Sequence, residues 1–229
     1  LKLNNKYLII YLATGLSLIV ISGDRMALMH YLIFIFLIFL ISKNISLKLF
    51  ISLVSSSIIT LLLFVSLNND INSRFQETIN DFEEVEFYLP LTKVHEGHIK
   101  SSAKMFIDKP LFGHGPKMFK FICDEEKFKG DYSCSTHPHN YYFQLLAETG
   151  IFGFLFLISV FLILLKRITI NFFFKVGKNL NKIMNDHQII YLISLFTMIW
   201  PLGPTLDFYN NWYNVLIYLN VALMLKSLN

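Results

Sequence analysis

Charge is scarce in this chain, and so are proline and cysteine. Only 16% of the 229 residues are charged and 54% are hydrophobic, while proline occurs 6 times and cysteine 2 times. The apolar residues stand in long blocks rather than alternating with charged ones, and the mean hydropathy is +0.52. This pattern excludes an ordinary soluble domain and predicts an all-α, polytopic membrane protein.

The motifs of several large enzyme classes are also absent. The sequence has no P-loop, no dinucleotide-binding fingerprint, no G-x-S-x-G elbow and no CxxC pair. Hydrolase chemistry and Rossmann-type cofactor binding therefore have no support, and no cofactor is predicted. The sequence also lacks a basic stripe with interleaved aromatic residues, which argues against a nucleic-acid partner.

Six apolar segments are long enough, or nearly so, to cross about 30 Å of hydrocarbon as helices. They are residues 7–22, 26–42, 47–67, 141–165, 188–206 and 212–225. Three of them precede a long polar segment, and three follow it. We therefore expect three transmembrane helices in residues 1–67 and three in residues 141–229, on either side of one large loop at residues 68–140.

The positions of the basic residues predict the orientation of these helices. They lie before the first span, between the second and third, in the 166–187 connection and after the last span: Lys2, Lys6, Lys43, Lys48, Lys166, Arg167, Lys175, Lys178, Lys182 and Lys226. The positive-inside rule places these stretches and both ends of this segment in the cytoplasm, and the large loop outside. Since residue 1 is leucine and no cleavable signal is recognisable, we expect the C-terminal part of a longer membrane protein.

The outer loop is predicted to contain two amphipathic helices. Apolar residues recur at three- and four-residue spacing from Ile71, and a second helix is expected from about Glu96 to Asp108. The Lys109–Pro110 step should end this second helix, because a residue before proline disfavours helical geometry. Both helices are candidates to lie at the membrane interface. The glycine-rich turn at residues 110–116 is either a tight structural turn or a backbone cradle for an anionic head group.

The loop also contains the residues that could form a disulfide or hold a metal. Cys123 and Cys134 both lie in it, and an outward, oxidising face favours a disulfide over a metal pair, with free thiols as the alternative. Four loop histidines offer zinc ligands in principle: His95, His98, His137 and His139. No recognisable zinc signature accompanies them, so no metal site is predicted.

The sequence His137-Pro138-His139-Asn140 closes the loop directly before the fourth predicted span. The Asn140 side chain can cap that helix, which leaves His139 available for chemistry. The helix N-terminus favours a bound anion, and a neutral imidazole with a pKa of about 6.5 can accept a proton from a sugar hydroxyl. His139 is therefore the main catalytic candidate, with a structural hydrogen-bonding role as the alternative.

Two further charged residues lie near predicted membrane boundaries. Arg25 is either an interfacial anchor beside Asp24 or a guanidinium fork for a phosphate oxygen. Glu148 lies near the N-terminal end of the fourth span, where the helix dipole favours a carboxylate or where it could pair with an arginine.

Three blocks of this sequence, in this order, resemble the O-antigen ligase and O-antigen polymerase family. They are Ser22-Gly23-Asp24-Arg25-Met26-Ala27, the stretch from Phe106 to Gly115 with Pro110-Leu111-Phe112-Gly113, and His137-Pro138-His139-Asn140-Tyr141-Tyr142 continuing to Glu148-Thr149-Gly150. The last block is the most specific. The resemblance covers roughly residues 15–166.

The resemblance implies a metal-independent glycosyltransferase of the bacterial inner membrane with a GT-C-like helical fold and a large periplasmic loop. It implies transfer of a glycan from undecaprenyl pyrophosphate to lipid A–core or to another lipid-linked glycan, in lipopolysaccharide O-antigen biosynthesis. His139 maps onto the family's catalytic histidine, which activates the acceptor or contacts the pyrophosphate, and Arg25 maps onto the pyrophosphate-binding arginine. The expected substrate-binding residues are Arg74, His95, His98, His137, Asn140 and Glu148.

One position departs from the family pattern. Many members carry a second arginine at the head of the helix before the glycine-rich turn, where this chain has His95, with His98 one turn later. Either a histidine takes over binding of the head group, or Arg74 reaches in from the preceding helix. The sequence does not separate ligase from polymerase. A transporter or flippase accessory for lipid-linked glycans is the alternative function, although transport favours ionisable residues near the bilayer centre, where these spans have few.

Overall fold

A computed structural model describes residues 5–70, 72–73, 76–77, 80 and 92–228 of the chain. The described part contains eight α-helices, one short 3₁₀-helix and no strand. The α-helices are α1 (Asn5–Ser22), α2 (Arg25–Ile41), α3 (Leu47–Leu67), α4 (Lys93–Asp108), α5 (Phe119–Ile122), α6 (Tyr141–Val176), α7 (Asp186–Met198) and α8 (Asn211–Leu228). This confirms the predicted all-α fold class.

Among the described residues, two helices are long and apolar enough to cross a membrane, α3 and α6. The 21 residues of α3 rise about 32 Å, close to the hydrocarbon thickness. Shorter apolar helices cover Ile10–Ser22 and Arg25–Ile41. The prediction of a fifth span from 188 to 206 was wrong in extent, because α7 ends at Met198, shortly before Pro201, and the chain from 199 to 210 is irregular.

The chain divides into two compact units, and α6 contributes to both. The first unit comprises Leu1–Glu77, Leu164–Met198 and Asn220–Asn229. In it α1 packs on α2 and α3, and α2 packs on α3 and α7. The Tyr31 hydroxyl donates to the Leu12 carbonyl at 3.0 Å, and the Asn44 amide donates to Asp186 at 2.7 Å. Buried apolar contacts and a few such hydrogen bonds hold these helices together.

The second unit comprises Thr78–Ile163 and Ile199–Leu219, and it holds the outer-loop residues of interest. Its core contains Met105, Phe119, Phe128 and Ala147, packed around the Cys123–Cys134 pair. The structure joins these two cysteines in a disulfide with a Cα–Cα distance of 5.2 Å, within the normal range.

Helix α4 forms where the second loop helix was predicted, and it begins slightly earlier, at Lys93. It ends at Asp108, directly before the Lys109–Pro110 step, as predicted. The first loop helix, predicted from Ile71, falls largely outside the described residues, and so does Arg74.

Helix α6 is interrupted at Gly150, which adopts φ 67° and ψ −157° in the middle of the helix. The Ala147 and Glu148 carbonyls accept hydrogen bonds from the His114 and Gly115 amides at 3.0 and 2.8 Å. In return, the Ile151 amide donates to the Pro110 carbonyl at 2.8 Å. The glycine-rich turn therefore satisfies the backbone groups that the break in α6 exposes.

This pairing decides between the two interpretations of the turn at residues 110–116. The Gly113, His114 and Gly115 amides all donate to carbonyls of the chain itself, the first of them to Lys109 at 3.1 Å. The cradle for an anionic head group is therefore wrong for these amides, and the structural turn is correct. Glycine is required at position 113 because φ is +64° and a Cβ would overlap the backbone of Glu148.

Candidate active site

Four histidines of the second unit converge on one place. The His139 ring lies 4.0 Å from the His137 ring, 5.4 Å from the His98 ring and 5.6 Å from the His95 ring, centroid to centroid. His95 and His98 come from one face of α4, and His137 and His139 from the segment before α6. We call these four residues the histidine cluster. The structure brings together two pairs of predicted site residues from segments that lie more than 30 residues apart in the chain.

His139 occupies the centre of the histidine cluster in an unusual backbone conformation. Its φ is +55°, in the left-handed region, and its carbonyl accepts a hydrogen bond from the Thr205 amide at 2.7 Å. The Nε2 atom lies 3.1 Å from the Ser135 hydroxyl. The ring is therefore oriented by its own loop and by the 199–210 segment.

Asn140 caps α6, as the sequence predicted. Its Oδ1 accepts from the Tyr142 and Phe143 amides at 3.0 and 3.3 Å, while its Nδ2 donates to the Pro201 carbonyl at 2.9 Å. The side chain is 3% exposed. Asn140 thus ties the start of α6 to the irregular segment that also holds His139.

His95 and His137 are held by hydrogen bonds to residues close in the chain. The His95 Nδ1 lies 2.7 Å from the Thr92 hydroxyl, and the His137 Nδ1 lies 2.9 Å from the Thr136 hydroxyl. His98 is buried, with 3% of its surface exposed. The disulfide at Cys134 anchors the segment that carries Ser135, whose hydroxyl contacts His139.

Three members of the histidine cluster, His98, His137 and His139, are uncharged near pH 7. Burial, followed by the neighbouring His137, His95 and His98, lowers the pKa of His139 to about 4. Burial also lowers the pKa of His98, and it lowers that of His137 against an opposing effect of Asp207. These three imidazoles therefore present uncharged nitrogen atoms to a substrate, and a bound anion would raise their pKa values.

Glu148 is buried between α6 and the start of α5. It is 1% exposed, and its carboxylate accepts from the Phe119 amide at 2.9 Å and from the Gln144 side chain at 3.2 Å. The carboxylate thus holds the start of α5 against α6.

A network beyond the predicted residues completes this region. The Gln144 amide donates to Asp207 at 2.6 Å, and its carbonyl oxygen accepts from the Phe208 amide at 2.9 Å. Asp207 in turn accepts from the Tyr209 amide at 3.0 Å. Ser135, Thr205 and the Gln144–Asp207 pair were not predicted from the sequence. In the 199–210 segment, only Pro201, Gly203 and Pro204 indicate an irregular chain.

Arg25 belongs to the other unit, where it is the first residue of α2 and half-buried. The neighbouring Asp24 caps this helix, because its carboxylate accepts from the Met26 and Ala27 amides, both at 3.0 Å. The Asp24 carboxylate is thus engaged with the helix N-terminus.

The pKa values predict how acid affects the second unit. His139 has a folded-state pKa below its unfolded value of about 6.5, so the unfolded chain takes up a proton first as the pH falls. We expect the free energy of unfolding to decrease between about pH 6.5 and pH 4, by on the order of 1–2 kcal/mol for this partly buried side chain. Thermal unfolding of the wild type and of His139→Asn, measured across this pH range, tests the prediction, since the variant should lose part of the pH dependence of stability.

Comparison with known proteins identifies the chain's relatives at the level of a family. The O-antigen ligase family matches residues 10–158, which include most of α1, all of α2 to α5, the histidine cluster and the break in α6. No curated protein matches the chain, and no solved structure does. Members of the family are bacterial membrane proteins with a ligase or polymerase type of function in polysaccharide biosynthesis. Since the match covers more than half of its length, the chain belongs to the O-antigen ligase family.

Proposed function

We propose that this protein transfers a glycan from undecaprenyl pyrophosphate to an acceptor hydroxyl at the periplasmic face of the inner membrane. The observation that carries the proposal is the histidine cluster with His139 at its centre, in a chain of the O-antigen ligase family. The acceptor is lipid A–core for a ligase and another lipid-linked glycan for a polymerase. Neutral imidazoles fit this chemistry, because one of them must accept a proton from the attacking hydroxyl.

The proposed reaction is a displacement at the anomeric carbon of the donor. The acceptor oxygen forms a bond to this carbon, the bond to the pyrophosphate oxygen breaks, and the leaving group departs as undecaprenyl pyrophosphate. His139 accepts the proton of the hydroxyl. In the free protein its pKa of about 4 makes it a weak base, and the negative charge of the bound pyrophosphate would raise this pKa toward neutrality.

The other residues of the histidine cluster would bind the donor and keep His139 in position. His95, His98 and His137 surround His139 and are donors or acceptors for phosphate oxygens. We assign the subsite of the missing second arginine to His95, because it lies beside His139, whereas Arg74 enters the proposal on sequence grounds alone. Asn140 and Glu148 would act as positioning residues, since their side chains are buried and hydrogen bonded within the chain.

Arg25 enters this proposal as a pyrophosphate-binding residue on the basis of the family resemblance. Arg25→Gln should raise the KM for the lipid-linked donor and lower kcat/KM by about 10- to 100-fold, since a charge-assisted hydrogen bond contributes about 1.5–3 kcal/mol. Arg25→Lys should recover only part of this loss, because lysine has no planar fork. Steady-state transfer assays with the full-length protein, varying donor and acceptor separately, measure these constants.

Arg167→Gln is the matched control, because this exposed arginine lies in the predicted cytoplasmic connection. Its KM for the donor should equal that of the wild type. If Arg25→Gln leaves the donor KM unchanged, the pyrophosphate role of Arg25 is wrong. If the protein moves lipid-linked glycan across vesicles without forming any glycosylated acceptor, the transporter alternative replaces the proposed function.

A further inference from the structure

The glycine-rich turn has two exposed apolar side chains, next to a helix that is long enough to cross a membrane. Leu111 is 57% exposed and Phe112 is 75% exposed. The Phe112 ring packs on the Phe152 ring of α6, with the centroids 5.4 Å apart. Phe152 is itself 58% exposed. The turn and α6 therefore share one apolar surface, and an exposed surface of this kind indicates an interaction site.

The apolar surface continues from the turn along α6. Five apolar side chains of this helix are between 51% and 64% exposed: Phe152, Leu155, Phe156, Leu162 and Ile163. At 100° per residue they lie on one face of the helix. In the most apolar 18-residue window of α6, 17% of the residues are buried. In a membrane protein such a face contacts lipid, so the surface of the turn is continuous with a lipid-facing surface.

The length of α6 indicates the depth of the turn in the bilayer. The helical part from Gly150 to Lys166, the first charged residue after the break, rises about 24 Å. The hydrocarbon core is about 30 Å thick, so with Lys166 at one surface Gly150 lies roughly 6 Å inside the other. The turn is held at this level, because the Ile151 amide donates to the Pro110 carbonyl at 2.8 Å.

The backbone of the turn is compatible with this depth. Irregular chain is tolerated within a membrane only where the protein itself satisfies the backbone polar groups. The Gly113, His114 and Gly115 amides all donate to carbonyls of the chain, at 2.8–3.1 Å. Lys109 and Lys117, at the two ends of the turn, are exposed, and their side chains are long enough to reach lipid phosphate groups.

We infer that the glycine-rich turn inserts into the phospholipid leaflet nearest the histidine cluster, with Leu111 and Phe112 among the acyl chains. Nine helical residues of α6, which rise about 14 Å, separate the end of the histidine cluster from Gly150. The inserted turn therefore limits the distance between the histidine cluster and the bilayer. It would hold the cluster near the head-group level, where a lipid-linked pyrophosphate lies. This positioning role rests on the proposed function, and the insertion does not.

Site-directed spin labelling tests the insertion without requiring turnover. Cys123 and Cys134 form the disulfide, so the introduced thiol of Phe112→Cys can be labelled under non-reducing conditions. Any cysteine of the full-length protein outside residues 1–229 is replaced by serine. The protein is placed in nanodiscs of phosphatidylethanolamine and phosphatidylglycerol. EPR power saturation then compares collisions of the label with oxygen, which concentrates in lipid, and with a water-soluble nickel complex.

We expect the label at residue 112 to meet oxygen but not the nickel complex, as a group roughly 5–10 Å below the lipid phosphates does. Tyr132→Cys is the matched control, because Tyr132 is an exposed aromatic residue beside Gly97, about 16 Å along α4 from Asp108. Its label should meet the nickel complex. A label at residue 112 that behaves like this control overturns the insertion. Shielding from both reagents indicates a protein partner, such as a second copy, and also overturns it.

Phe112→Asp tests the positioning role. A carboxylate among acyl chains is unfavourable, so this change should withdraw the turn and lower glycan transfer by about tenfold. The melting temperature in detergent should stay near that of the wild type, since the side chain is exposed. Tyr132→Asp is the control and should transfer glycan at the wild-type rate. Equal transfer by Phe112→Asp and the wild type contradicts the positioning role. If the wild type transfers no glycan, the proposed function fails, and the label at residue 112 still decides the insertion.

Discussion

Replacing His139 by asparagine should lower glycan transfer by about 100- to 10,000-fold, the usual contribution of a proton-accepting side chain. Asparagine is the most informative substitution, since it tolerates the left-handed backbone at φ +55° better than alanine does. The fold should therefore persist while the proton acceptor is lost. Transfer rates in membranes that lack the native enzyme, normalised to the amount of full-length protein, measure the effect.

The control for this experiment is His187→Asn, which changes an exposed histidine of the other unit and should leave transfer unchanged. Ser135→Ala should have a smaller effect, of about tenfold, because Ser135 only orients the imidazole. A His139→Asn protein that is folded, normally expressed and as active as the wild type would exclude His139 from the chemistry.

Replacing Gly150 by alanine should lower the free energy of unfolding by at least about 3 kcal/mol. The residue has φ 67°, and a Cβ there would overlap the Leu111 carbonyl and the Phe112 amide. The alanine would thus push the backbone around residue 150 away from the glycine-rich turn, and the Glu148 hydrogen bonds would be lost. A decrease of the melting temperature by about 6–12 °C is expected for a chain of this size.

Gly15→Ala is the matched control for this substitution. Gly15 lies inside α1, and a Cβ there has no neighbour within 4 Å. Alanine should therefore be neutral or should stabilise the helix by about 0.5–1 kcal/mol. If Gly150→Ala unfolds at the same temperature as the wild type and Gly15→Ala, the break in α6 is not the fixed structural feature described above.

Local signals in the sequence predicted much of the fold and the main elements of the site. The apolar blocks predicted α1 to α3 and α6, the Lys109–Pro110 step predicted the end of α4, and Asn140 was recognised as the cap of α6. These features depend on residues close together in the chain. His139 was selected for the same reason, because its neighbours Pro138 and Asn140 already indicate a helix start.

Contacts between segments that are distant in the chain could not be predicted from the sequence pattern. The backbone hydrogen bonds between the glycine-rich turn and the residues around Gly150 require positive φ angles at Gly113 and Gly150. Only the folded chain brings these two glycines together. Thr205 contacts the site from a segment that its hydrophobicity assigned to a span, and Asp207 contacts it from directly after that segment. Pro201 and Pro204 explain why α7 ends early, because proline interrupts a helix. Hydrophobicity alone misses this end, because the residues around the two prolines are mostly apolar.

The most direct test of the proposed function is the stoichiometry of products in a purified system. The full-length protein in nanodiscs is supplied with an undecaprenyl-pyrophosphate-linked glycan and with lipid A–core or a second lipid-linked glycan as acceptor. Mass spectrometry then quantifies glycosylated acceptor and released undecaprenyl pyrophosphate. We predict that the two products appear in a one-to-one ratio and that both disappear in the His139→Asn protein. Release of no undecaprenyl pyrophosphate by the wild type with either acceptor, or equal release by both proteins, would contradict the proposed glycosyl transfer.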